Sequence, residues 1–166
     1  METQPKSNRM FAIVVLYDMH STYFDSVLDG IADADAHKRL DTKANHVAWL
    51  AGSMLEGRFE LANWFGADHK AQSHDLFKHN KGIQDDVQYP SLESYQKDWA
   101  YISPILREKL MQASDAELDK ILEFPEMNMS FPLYDMVTFN TYREANCIGQ
   151  IALWRRLLNY PAMKYM

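Results

Sequence analysis

The stretch TYREANCIGQIALWRRLLNYPAMKY, residues 141–165, decides the fold. On a helical wheel Met136, Asn140, Arg143, Cys147, Gln150, Trp154 and Leu158 recur at steps of three and four, so they share one face. That face starts apolar, turns polar across Asn140, Arg143 and Cys147, and ends apolar again. Polar groups that a helix directs into a bundle core are either satisfied internally or put to use. Arg155 and Arg156 stand near the C-terminal end, where positive charge suits the helix dipole, and Pro161 stops the helix. The expected span is Leu133 to Asn159.

Working outward, helical spacing recurs three more times. A first helix is expected from Met10 to Ile31, with Val14, Met19, Tyr23, Val27 and Leu28 among its apolar positions. Residues 1–8 are polar, contain Pro5, and are expected to be disordered. A short helical piece around Ala36–Leu40 precedes a second long helix, capped by Thr42 and stopped at Gly66. Within it Ala51, Gly52, Ser53 and Gly57 make a patch of small residues where a neighbour can approach closely.

Residues 67–90 are polar and long enough for a crossover, and His69, His74 and His79 read as solvated loop positions. Ser91 opens a third helix that runs to Gln112, with a kink or break expected at Pro104. Ser114 and Glu117 form a capping box for a short helix to Leu122. Residues 123–132 hold two prolines and read as an extended connection. Strand alternation is weak throughout. The expectation is therefore all-α: one domain over residues 1–166, a four-helix bundle with a long crossover after the second helix.

Composition narrows the function. The chain has 166 residues, enough for one domain with an adequate core. Its net charge is −6 without a basic block, so it lacks the electrostatic footprint of a nucleic-acid binder. The apolar run Met10–Tyr17 is too short to span a bilayer and is followed by Asp18 and His20, so it reads as the start of a buried helix rather than a signal peptide. A single cysteine excludes an internal disulfide and Cys-cluster zinc sites, and it agrees with a reducing cytoplasm. No Gly-rich phosphate loop, nucleophile elbow or HExxH pattern is present.

Several stretches together resemble the DinB-like superfamily of four-helix bundles, relatives of thiol-dependent transferases. In that family the last helix holds a His, a second His four residues later, and Gly-Gln two residues beyond. Here Glu144, Gly149 and Gln150 match, while the two His positions are Arg143 and Cys147. NHVAWLAGSM resembles the family's second helix, with Asn45, Trp49 and Gly52 in register and Ser53 at the position of its metal-binding His. Residues 89–120 and 151–165 resemble its third helix and C-terminal end. The resemblance implies a homodimer formed through helix faces. It also implies a divalent metal held by three histidines, and those ligands are replaced here by Ser53, Arg143 and Cys147. No metal cofactor is expected, because an arginine has no lone pair to offer and repels a divalent cation.

Two functions follow from that replacement. In the first, a pocket between the second and last helices binds a small, anionic molecule through Arg143, with Ser53, Cys147, Asn140, Gln150, Trp49 and Glu56 as the surrounding candidates. An internal ion pair of Arg143 with Glu56, Glu60 or Glu144 is the structural alternative, although Glu144 points ~100° away from Arg143 on its helix. In the second, the chain is a metal-free thiol transferase that uses Cys147 or a low-molecular-weight thiol, since a neighbouring cation lowers a thiol pKa. A displaced metal site built on His46 and His20 would need a third ligand that the sequence does not supply. Trp49, Trp99, Trp154, Tyr101, Tyr134 and Tyr142 are either core or pocket lining.

Overall fold

The computed structural model describes residues 4–165. The chain runs α1 (Phe11–Leu28), α2 (Asp33–Ala36), α3 (Val47–Trp64), α4 (His74–Phe77), α5 (Leu92–Gln112), α6 (Asp115–Leu118), β1 (Ile121–Phe124), β2 (Met129–Pro132) and α7 (Leu133–Leu157). The long helices form where apolar residues recur at three and four. Val14, Tyr17, Phe24, Val27 and Leu28 of α1 are buried, as are Tyr95, Trp99, Ile102, Leu106 and Leu110 of α5. α1 packs against α5 and α7, and α3 packs against the same two, so the four long helices close a ring around one core. α3 is buried almost all round, which explains its run of Ala, Gly, Leu and Met. The class is all-α, apart from one small sheet.

Several boundaries differ from the expectation, each for a local reason. α1 ends at Leu28 because Gly30 takes a left-handed φ of 72°. α3 begins at Val47 rather than near Thr42, whose hydroxyl donates to Arg39 O at 2.7 Å instead of capping. α5 continues through Pro104 without a break, with the proline on its exposed side. The Ser114–Glu117 capping box is present. Residues 121–132 fold into an antiparallel hairpin, Ile121 opposite Pro132 and Phe124 opposite Met129, where a simple extended connection was expected. Asn128, at φ 52°, supplies its left-handed turn position.

Residues 1–3 of the stretch expected to be disordered lie outside the described residues. The rest of it is held: Lys6 N donates to Met111 O at 2.8 Å, and the buried Ser7 hydroxyl donates to Asp115. Arg155 does more than answer the dipole of α7. It is buried, and its guanidinium donates to Val27 O (3.0 Å), Asp29 O (2.6 Å) and Pro161 O (3.0 Å), so it satisfies carbonyls at the open end of α1.

The cap of α3 makes stability depend on pH. His46 Nδ1 accepts from Trp49 N at 3.1 Å, and burial, then neighbouring His37, pushes the imidazole down to about 4. Unfolded chain takes up this proton first, so stability falls as pH drops from about 6.5 towards 4. His46→Asn keeps a capping acceptor without titrating. Urea unfolding across that range should show a shallower acid slope in His46→Asn than in the parent. An unchanged slope would exclude His46 as the source.

Candidate functional site

Arg58, in the middle of α3, is fully buried. Its guanidinium grips Glu144 of α7 with two bonds, Nε to Oε1 at 2.7 Å and Nη2 to Oε2 at 2.9 Å. Nη1 donates to the hydroxyls of Ser21 on α1 (2.9 Å) and Ser103 on α5 (2.6 Å). Trp99 and Tyr17 lie over the guanidinium carbon, with ring centroids 3.4 Å and 4.1 Å away. Glu144 also meets His20 Nδ1 at 3.2 Å and accepts from Asn140 Nδ2 at 3.3 Å. Burial alone would push the Glu144 carboxyl up, but Arg58 and His20 hold it below the usual carboxylate range. Every long helix therefore contributes to one closed polar cluster. Among the described residues none of its buried polar side-chain atoms is left without a hydrogen-bond partner.

Beside it, between α3 and α7, a cleft of about 880 Å³ opens. Gly57, Trp64, Met136, Phe139, Asn140 and Arg143 line its helical walls, and Phe124, Met127, Met129 and Phe131 of the hairpin form its far side. A smaller cavity of about 250 Å³ lies next to it, lined by Trp49, Ser53, Glu56 and Phe77 among others. Glu60, Asn80, Phe139 and Arg143 border both, so the two spaces adjoin. The volumes suit a small organic molecule.

The crossover roofs the smaller cavity. Phe77 of α4 fits over Gly52, where a Cβ would collide with its ring and lie 2.6 Å from the Tyr95 hydroxyl. His74 folds down onto Glu56, Nδ1 to Oε1 at 2.5 Å, so it is not the solvated loop histidine expected, while His69 stays in the loop and meets the Tyr101 hydroxyl at 3.1 Å. His79 and Asn80, both left-handed at φ 59° and 55°, turn the chain along the rim.

The smaller cavity mixes aromatic and charged walls, and its polar groups are incompletely satisfied. Glu56 is only 4 % exposed, and its Oε2 has no hydrogen-bond partner among the described residues. Trp49 Nε1 is likewise buried without a partner. Burial pushes the Glu56 carboxyl up, against the opposing pull of His74, and burial followed by Glu56 itself pushes Glu60 up. Unpaired buried polar atoms are costly, and two of them belong to residues that line this cavity.

Of the candidates from the sequence, Trp49, Ser53, Glu56 and Arg143 meet in the smaller cavity, and Asn140 lines the cleft. Arg143 Nη2 donates to the Ser53 hydroxyl. The internal ion pair offered as an alternative for Arg143 does not form among the described residues: Glu144 is taken by Arg58 and Glu56 by His74, while Glu60 lines the same cavity without pairing. Cys147 is buried and borders neither space, and burial pushes its thiol up in spite of Arg143. Gln150 is exposed and donates to Asn146 at 2.6 Å. His46 and His20 are engaged separately, as the cap of α3 and the partner of Glu144.

Of the six aromatics named from sequence, Trp49 alone borders these spaces, whereas Trp99 stacks on Phe24 at 3.9 Å. Sequence reasoning passed over Arg58, Glu60 as a cavity wall, and the hairpin. For Arg58 the sequence carries no local signal beyond its place among the small and apolar residues of that helix.

No protein-family model matches the chain, and neither does any curated protein or solved structure. The divalent ion that the resemblance implies does not suit the donors present. The Ser53 hydroxyl accepts from a permanent cation, and the Cys147 thiol resists deprotonation. Among the described residues no group of three or more His, Cys, Asp or Glu is gathered as metal ligands would be, and no helix is long and apolar enough to cross a membrane.

Proposed function

We propose that this chain is a DinB-like protein that works without the family's metal and binds a small molecule between α3 and α7. The contact of Ser53 with Arg143 supports the family reading, because these are two of the three positions that the resemblance assigns to ligating histidines. The long crossover after α3 supports it too. The observation that carries the binding function is Glu56 Oε2, buried and unpartnered in the wall of a cavity that adjoins an apolar cleft. The thiol-transferase alternative has less to stand on, since Cys147 borders neither space. Homodimerisation through the exposed Phe11, Val15 and Met19 of α1 belongs to the same proposal.

Phe139 is 55 % exposed and borders both spaces, so it can be changed without disturbing the core. Nile red should fluoresce strongly on the parent protein, and Phe139→Asp should remove most of that signal while leaving the melting temperature nearly unchanged. Equal fluorescence from parent and variant would place the apolar site elsewhere and end this reading.

A further inference from the structure

The smaller cavity asks for two opposite things at once. Glu56 Oε2 lacks a donor, and half-buried Glu60 lies one turn away on the same face of α3 without a hydrogen bond among the described residues. On the same walls Trp49 Nε1 lacks an acceptor, and the Arg143 guanidinium, anchored by one nitrogen to Ser53, forms no ion pair among the described residues. Lys81 is the remaining charged residue of the lining. It is exposed and its ammonium donates to Asp75 O at 3.1 Å, so two carboxylates, Glu56 and Glu60, share the lining with one guanidinium, Arg143, and neither a bare anion nor a bare cation answers both signs. The adjoining cleft supplies Trp64, Met136, Phe139 and Phe131, an apolar bed for the rest of a ligand.

Resting on the binding function proposed above, we infer that the ligand carries a zwitterionic, amino-acid-like head in the smaller cavity and an apolar or aromatic body in the cleft. Its ammonium donates to Glu56 Oε2 and Glu60, and its carboxylate accepts from Arg143 and Trp49 Nε1. Both buried orphans are then satisfied by one small group, and each charge is placed against its complement. The raised proton affinities of Glu56 and Glu60 fit the same picture, because an ammonium between them relieves their burial.

Three probes with a common body separate the charges: L-phenylalanine, 2-phenylethylamine, which lacks the carboxylate, and 3-phenylpropanoate, which lacks the ammonium. Titration calorimetry on the full chain should rank phenylalanine about tenfold or more above both, since each charged hydrogen bond lost costs at least that factor. Glu60→Gln should weaken phenylalanine and phenylethylamine but not phenylpropanoate. Arg143→Gln should weaken phenylalanine and phenylpropanoate but not phenylethylamine. Glu60 and Arg143 are not fully buried, so both variants should fold. Phenylethylamine or phenylpropanoate binding as tightly as phenylalanine overturns the inference, as does binding of none of the three. In either case Nile red that still responds to Phe139→Asp leaves the cleft reading standing, whereas Nile red that ignores it removes both.

Discussion

Arg58→Met should lower the free energy of unfolding by about 3–5 kcal/mol, the usual cost of leaving one member of a buried ion pair alone. The side chain is fully enclosed, and Glu144 is 1 % exposed. Without the guanidinium, Glu144 keeps only His20 and Asn140, while the Ser21 and Ser103 hydroxyls lose a donor. The Glu144 carboxyl must then take a proton or stay charged in a medium that solvates it poorly. Urea unfolding measures the loss. Arg58→Met/Glu144→Leu, which removes both charges, should recover most of it, since an apolar replacement of a whole buried pair is often neutral. A single variant within about 1 kcal/mol of the parent would show that the cluster is not what binds the four helices together.

Gly52→Ala carries the second large effect, and it acts at a distance from the charges. The added Cβ would collide with the Phe77 ring and lie 2.6 Å from the Tyr95 hydroxyl, and Tyr95 is buried in the core. Phe77 is the one that can leave. Overpacking of this kind costs about 1–3 kcal/mol. Its signature is local: amides of residues 67–90 should exchange faster while those of α1 and α7 keep their protection. Loss of the roof also frees His74 from Glu56, so binding in the smaller cavity should fall with it. Phe77→Ala in the same chain should restore part of the stability. Unaltered exchange in the crossover would mean that Phe77 does not anchor it.

Much of the helical frame could be read from residue spacing, because a buried stripe repeats over five turns and tolerates local irregularity. Helix ends could not, because each depends on one residue's φ: Gly30 closing α1, or Leu40 and Asp41 at 47° and 57° delaying α3. The hairpin was hidden by its own shortness, since two strands of four residues each, the first running into Pro125 and the second ending at Pro132, leave no period to detect. Arg58 was hidden by a sound prior: arginines are rarely enclosed, and nothing local marks the one that is.

Arg143 shows the opposite case. The resemblance put it opposite Ser53, and the two do meet, yet two of its proposed carboxylate partners are held by other groups, Glu144 by Arg58 and Glu56 by His74. Spacing tells which residues share a face. It does not tell which of several competing partners lies nearest once the other helices arrive.

The arrangement around Arg58 bears on how the chain is made. During synthesis α1 and α3 exist before Glu144 does, so the early hairpin must carry a guanidinium with no counterion to accompany it indoors. Closing too soon is therefore penalised, and the last helix acts as a key that permits collapse only when the right carboxylate is delivered at the right height. A misthreaded intermediate is rejected by charge before packing has to discriminate.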